Sequence, residues 1–402
     1  MPETKPITLV CLASYFKGSA FLRSAKHLGC KVILVAKEAF AQEDWPRESL
    51  DEIYFMPDLT KRPDIVYAVS YLARSNVISQ IIALDDYDVE TAAHLRDHMR
   101  LPGMGESLAH HFRDKLAMRT QARAEGINVP EFTGVFNYDQ LREFMARVPP
   151  PWLLKPRSEA SSMGIKTVNQ AEELWPLLDQ LGDQQSFFVL EQFVPGDVFH
   201  VDGLVNDGEV LFMAAHQYGR PPMSVYHEGG IFITRSLDRS SPEAQALFAL
   251  NRQVQSALGM RRGATHTEYI RAHADGRLYF LETAARVGGA NIAEAVEFAT
   301  GINLWAEWAR IEVSFLRGEP YQLPEARTGY SGVINCLARQ DWPDLSPFND
   351  PEVVWRMIKK NHAGLIVASP DAARVESLLN DYSARFERDF LAVLPPRDKM
   401  AV

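Results

Sequence analysis

Short runs of β-branched and aliphatic residues alternate with helix-length stretches over the first hundred positions. Ile7–Ala13 (ITLVCLA) leads through Ser14–Gly18 into a helical stretch that Gly29 ends, and Lys31–Ala36 (KVILVA) is the next apolar run. Strand, loop, helix, strand in that order predicts a βαβ opening and a parallel sheet. A strand at Glu52–Met56, a helix near Ile65–Arg74 and a strand at Ile78–Leu84 continue it. The last strand ends in Asp85-Asp86, at the carboxyl edge where functional residues collect in open α/β sheets. Aspartate also caps helices well, and capping is the reading favoured for this pair. No G-x-G-x-x-G fingerprint follows these strands, so a nicotinamide-binding domain has little support.

After Leu101-Pro102-Gly103 the pattern becomes mixed. Ser107–Glu125 predicts one long helix carrying Lys115 and stopped by Gly126. Trp152–Lys155 predicts a strand ending on a lysine, followed by Pro156, the small-residue loop Ser158–Gly164 and a strand from Ile165 to Val168. A lysine beside a loop of serines and glycine can hold a phosphate through backbone N–H groups, hydroxyls and the ammonium; an ordinary surface hairpin has the same look. Ser186–Val194 (SFFVLEQFV) is an apolar strand interrupted by Glu191-Gln192, a polar pair that needs partners if buried and is otherwise explained by a sheet edge. Extended segments at His200–Leu204 and Glu209–Ala214 and a helix at Ser241–Leu258 follow. Helices at Ile292–Thr300 and Leu304–Phe315 precede a last region with strand-like Ser331–Leu337 and Gly364–Ser369 and a charged helix from Asp371 to about Phe386.

Candidate chemistry concentrates between His266 and Gly289, HTEYIRAHADGRLYFLETAARVGG. Two strand-like runs flank Ala274-Asp275-Gly276, which fits a three-residue hairpin loop with glycine in the left-handed position. With that loop His273 pairs with Arg277, and counting back sets Glu268 opposite Glu282 on one face, Cβ atoms about 5 Å apart. Directly opposed like charges are unfavourable unless something positive lies between them. A hard divalent cation is one answer, Mg²⁺ being the ion that takes one or two carboxylates plus substrate phosphates; a shared proton or a solvated strand face are the others. A two-residue Asp-Gly turn would instead send the glutamates to opposite faces. Arg286-Val287-Gly288-Gly289 then sets a guanidinium beside two residues that let backbone approach a ligand closely.

Composition narrows the field further. The 402 residues suggest two or three domains, with 46% hydrophobic and 23% charged residues, an ordinary soluble balance. A net charge of −10 without a basic stripe argues against nucleic acid as partner. Cys11, Cys30 and Cys336 are scattered and lack metal-binding spacing, which suggests reduced thiols, and no membrane-spanning run or signal segment stands out. The expectation is a cytoplasmic protein without a membrane partner.

In sequence order these residues resemble the ATP-grasp superfamily, over roughly residues 100–320. The fragments are Lys115 in RDKLAMR, Gly126-Ile127-Asn128-Val129-Pro130, Lys155 in LLKP, the loop SEASSMG, Glu191 in VLEQFVPG, Glu268 in HTEY, and Glu282 with Arg286 in LETAARVGG. The resemblance implies an ATP-grasp fold of mixed α/β and α+β class. It divides the chain into an N-terminal parallel α/β (pre-ATP-grasp) domain over 1–105, the ATP-grasp domain over 106–325 with a mobile lid at about 130–195, and a small C-terminal α/β region over 326–402.

It further implies roles. Lys115 and Lys155 contact ATP phosphates, with Lys155 also near adenine and acting in catalysis. Ser161, Ser162 and Gly164 form the lid, while Glu191, Gln192, Phe193 and Val194 hold adenine. Glu268 and Glu282 carry Mg²⁺ (Mn²⁺ as the alternative), and Arg286, Gly288 and Gly289 face the γ-phosphate and the substrate. Two positions depart from the family's pattern. Ala284 stands where an asparagine ligand is common, which leaves one or two metals open, and Val198 replaces the ribose-binding glutamate, so Asp197 or His200 is the expected ribose contact, with His200 as a plain strand residue the alternative. The implied activity is ATP-dependent ligation of a small-molecule carboxylate to an amine, of amino-acid-ligase type, through an acyl phosphate. A biotin-carboxylase-like enzyme and a non-catalytic ATP-binding regulator are the alternatives; the family also suggests a homodimer. Tyr218, Arg220, His216 and the segment 221–231 are candidates for the acceptor pocket.

Overall fold

The computed structural model describes residues 6–395. Strands Thr8–Ala13, Lys31–Lys37, Glu52–Met56 and Gln80–Ala83 form the predicted parallel sheet, with Thr8–Ala13 between Lys31–Lys37 and Gln80–Ala83. Thr8–Ala13 is buried at every position, because helices cover both faces of such a sheet; hence its unbroken apolar run. Phe21 of helix Ser19–His27 stacks edge-on against Trp308 of helix Leu304–Arg317, 5.1 Å between centroids. That contact is part of a core shared between the N-terminal sheet and the later part of the chain.

The long helix expected over Ser107–Glu125 is broken. Glu106–Ala109 runs into a 3₁₀ turn, His110–Phe112, and a new helix starts at Lys115. Asp114 has extended backbone and accepts from the N–H groups of Leu116 and Ala117, the geometry of an N-cap. Lys115 therefore stands in a first helical turn. Lys115, Met118, Arg119 and Ala122 share its buried face at helical spacing, so two cations point inward with the apolar residues.

A small antiparallel sheet orders Phe132–Gly134, Phe188–Gln192, Trp152–Pro156 and Lys166–Val168. Phe188–Gln192 is an interior strand there, which rules out the sheet edge as the explanation of its polar pair. The large sheet has eight strands, in the order Leu278–Ala284, Gly263–Ala272, Gly196–Asn206, Glu209–Tyr218, Phe232–Ser236, Tyr330–Leu337, His362–Ser369, Val353–Arg356. Tyr330–Leu337 pairs antiparallel with Phe232–Ser236, so the hydrogen-bonded sheet runs on past residue 326, where a domain boundary was expected. Helix Ala372–Asp389 packs Val375, Leu378, Leu379, Tyr382 and Phe386 against this end. Among the described residues no helix is long and apolar enough to cross a membrane.

Candidate active site

Glu268 and Glu282 are direct partners across the hairpin of Gly263–Ala272 and Leu278–Ala284. The route to that register differs from the one the sequence suggests. Arg271 pairs with Leu278, and the Ala272 N–H donates to the Arg277 carbonyl, so the loop holds four residues, not three. That alone would shift the count by one and send the glutamates to opposite faces. A bulge at Leu281 restores it: Tyr269 pairs with Phe280, yet Glu268 pairs with Glu282. Arg119 donates to the Leu281 carbonyl, the group that the bulge takes out of the ladder.

Arg119 also anchors the neighbouring sheet. Its Nε lies 2.7 Å from Glu191 Oε2, and the Lys155 ammonium takes Oε1. Arg119 and Glu191 are each only 1% exposed, so these charges answer one another. Burial alone would raise the Glu191 carboxyl, but Arg119 and Lys155 outweigh it and hold it down to about 2. Arg119 went unrecognised in the sequence, although its spacing from Lys115 and Met118 marked the buried face of that helix.

Two cavities meet at the glutamate pair. The first is lined by Lys155, Glu191–Val194 and the apolar side chains of Leu153, Met163, Ile165, Ile270 and Leu281. The second is lined by Arg286, Gly289, Asp86, Arg113, Tyr218 and His266. Both include Lys115, Glu159, Ser162, Glu268 and Glu282. Lys115 Nζ reaches Glu282 Oε2 at 2.8 Å and the Glu159 carbonyl at 2.7 Å, tying the metal-strand candidate to the loop. Ser161 and Ser162 both have left-handed backbone (φ 56° and 59°), and Gly164, also left-handed, lies outside both linings.

Some expectations move. His200 does not reach either cavity: it is fully buried, with Nδ1 2.6 Å from Asp202 and Nε2 2.7 Å from the Thr234 hydroxyl. It cannot serve as a ribose contact from there. Asp197 is exposed, 3.6 Å from His273. Gly288 lines neither of these cavities; a Cβ on it would lie 2.5 Å from Asp202 Oδ1, so the residue lets the Arg286 segment close over that carboxylate. Gly289 does line the second cavity. His216 is buried and stacks on His200, Arg220 pairs with Glu228 at the surface, and the 221–231 segment contains helix Pro222–Glu228. Asp85 accepts from the Tyr87 N–H as a cap, as expected. Asp86 does more: it faces Arg113 at 3.0 Å and Arg286 at 3.8 Å, inside the second cavity. Burial would raise its carboxyl, and the two arginines with Lys17 reverse that.

Behind the pair, the Tyr218 hydroxyl donates to Glu268 Oε1 at 2.8 Å, and His266 Nε2 is 3.8 Å from the same oxygen. His266 Nδ1 donates to Asp202 at 2.9 Å. Burial works against a charged His266, but Asp202 prevails and its pKa rises to about 9. Among the described residues two arrangements could hold a metal. His200, Asp202 and His266 bring ligand atoms within 4.8 Å of one another, yet both Asp202 oxygens are already engaged by imidazole Nδ1 groups. Glu268 and Glu282 offer hard carboxylate oxygens beside a cavity, and each has one oxygen engaged, by Tyr218 and Lys115 respectively. That donor set fits Mg²⁺.

Comparison with known proteins agrees with this architecture. A profile of the ATP-grasp domain matches residues 148–294. The L-arginine-specific L-amino acid ligase of Bacillus subtilis is 26% identical over 270 residues, 65% of this chain and 64% of that protein. Alanine–anticapsin ligase of Bacillus subtilis (strain 168) is 22% identical over 283 residues, 64% of this chain and 59% of that protein. The chain thus spans less than two thirds of the length of these relatives. The crystal structure of an L-amino acid ligase from Bacillus licheniformis superposes with a TM-score of 0.76 at 18% identity, covering 97% of this chain and 99% of that one.

Proposed function

This chain carries the ATP-grasp fold, and from that premise we propose that it is an ATP-dependent ligase joining a small carboxylate to an amine, with amino acids as substrates. The observation that carries the reading is the junction: Glu268 and Glu282 stand where the two cavities meet, with Lys115 between them and the 158–164 loop. ATP would place its base in the first cavity, between Met163, Ile165 and Leu281. The Gln192 and Phe193 N–H groups are spent on the Glu131 and Pro151 carbonyls, so the base's edge would meet the linker carbonyls and the Val194 N–H. Glu191 acts there by fixing Lys155, since both its side-chain oxygens are taken and its backbone pairs with Leu153 in the sheet.

The phosphates would then run past Lys155 and Lys115 toward the junction, under Ser161 and Ser162. Glu268 and Glu282 would hold Mg²⁺, or Mn²⁺ in its place, which when bound neutralises phosphate charge. The acid lies in the second cavity. Its carboxylate oxygen attacks the γ-phosphorus while the bond to the β-phosphate oxygen breaks, giving ADP and an acyl phosphate. The amine nitrogen then attacks the acyl carbon, its C–O bond to phosphate breaks, and the ammonium proton leaves with solvent or phosphate. Arg286, held on the Val287 carbonyl at 2.9 Å and facing Asp86, neutralises charge on the moving phosphoryl group. The 158–164 loop keeps water from the acyl phosphate. We extend the proposal to a cytoplasmic homodimer, which sedimentation of the purified protein checks.

The test is ADP release in the presence of Mg²⁺ and pairs of amino acids. Release that requires both an acid and an amine, with a condensed product by mass spectrometry, supports the ligase. Release that needs bicarbonate and no amine, or ATP binding without turnover across the whole panel, defeats it.

A further inference from the structure

A third cavity of about 260 Å³ lies on the far side of the active-site wall, where the N-terminal sheet, the segment Met260–Arg262 and helix Leu304–Arg317 meet. Its chemistry is unlike that of a packing defect. Arg96, Arg261, Arg262 and Glu312 all line it, together with the indole of Trp308 and the ring of Phe315, and Arg261 is paired with the exposed Asp207. Two guanidinium groups against one carboxylate leave an excess positive charge in a space walled largely by apolar atoms, an arrangement that an anion completes.

The individual atoms are more specific. Arg96 spends Nε on the Met104 carbonyl (2.9 Å) and Nη1 on the Ile81 carbonyl (2.7 Å), which fixes its plane without giving it an anionic partner. Burial draws its pKa down to about 10, against the pull of Glu312. Glu312 is 6% exposed; Oε1 accepts from the Trp308 indole at 3.3 Å, while Oε2 has no hydrogen-bond partner among the described residues. Arg262 Nε is also without a hydrogen-bond partner and lies 3.5 Å from that oxygen, beyond good bonding geometry, with its guanidinium over the Phe315 ring. Arg262 and Glu312 thus form a buried ion pair whose facing Nε and Oε2 have no closer partner, looser pairing than native interiors usually give two buried charges.

We infer that this cavity is a binding site for a small zwitterion, a free α-amino acid or a dipeptide, separate from the ligase site. The ammonium is recognised by Glu312, the carboxylate by Arg262 and Arg96, and the side chain by Trp308, Phe315 and the apolar wall. The site shares that wall with the active site. Ala83 lines it two residues before Asp85 and Ala285 lines it next to Arg286, so an occupant touches the segments that carry the Asp86–Arg286 contact. The inference does not depend on the ligase reading, because binding is measured without turnover.

The experiment is calorimetric titration of the full-length protein with single L-amino acids and with dipeptides, the two arms separating the two sources of the same chemistry. Wild type, Glu312→Gln, Arg262→Met and Arg286→Met are compared. The expected result is a saturable site for at least one compound that weakens about tenfold or more in Glu312→Gln and Arg262→Met, the loss of a charge-assisted contact, and survives Arg286→Met. Hydrogen exchange on the unmodified protein guards against misfolded variants: saturation should protect amides in 101–108 and 308–315. Binding that ignores Glu312→Gln and Arg262→Met, binding abolished by Arg286→Met alone, no binding by any compound, or protection confined to 266–290 would each overturn the site.

Discussion

Glu191 and the Glu268/Glu282 pair lie on neighbouring sheets and border the same cavity, yet their fates differ. Glu191 is closed: both oxygens are taken by buried cations and its side chain is 1% exposed. The pair is open, with side chains 19% and 33% exposed and one oxygen of each engaged, by Tyr218 and Lys115. A carboxylate whose lone pairs are consumed by fixed cations organises a fold; one that keeps lone pairs facing a cavity can meet a ligand. Arg119 connects the two, since one guanidinium holds Glu191 and the carbonyl of the bulge that aligns Glu282.

The sharpest way to break this contrast is Glu282→Gln. It should reduce ADP release to background with the melting temperature little changed, because the glutamine amide oxygen and the Glu159 carbonyl can still accept from the buried Lys115 ammonium; activity near wild type would mean the open pair does not serve catalysis. Arg119→Met belongs to the closed side. Leaving Glu191 with Lys155 as its one cation should cost about 1–3 kcal/mol of unfolding free energy in urea titrations, and no measurable loss would show that the cluster is not structural.

Arg286→Ala should lower kcat on the order of 10²-fold, as removal of one preorganised stabiliser does; a rise in KM for ATP at full kcat would mean that it serves binding only. Tyr218→Phe removes one hydrogen bond to Glu268 and should cost about 1 kcal/mol, less than about tenfold in rate. A last test is a matter of pH. Because the folded carboxyl of Glu191 is held down to about 2, its contribution is fully present above its unfolded pKa of about 4.3 and fades as pH falls through the folded value. The stability gap between wild type and Glu191→Gln should be constant above about pH 5 and narrow toward pH 2; a gap that widens on acidification would contradict the charge assignment.

Much of the site was legible because its parts are local. Lysine at a strand's end, serines in a loop, glutamates on either arm of a hairpin and arginine before two glycines are short patterns whose order along the chain carries the resemblance. What failed was longer in range. His200 was half legible: Asp202, two residues along the same strand face, is a local partner, whereas Thr234 lies 34 positions away. Asp86 looked like a cap because Arg113 and Arg286 reach it from other elements.

The amino-acid order alone determined a parallel α/β opening, a mixed sheet region after it and a hairpin bearing two acids. Which face those acids share was decided elsewhere. The loop is one residue longer than its turn signal suggests, and a bulge compensates, its freed carbonyl met by a buried arginine 162 positions away in the chain. Strand register has a period of two, so a single residue reverses every side chain, and only a contact made in three dimensions could set that parity.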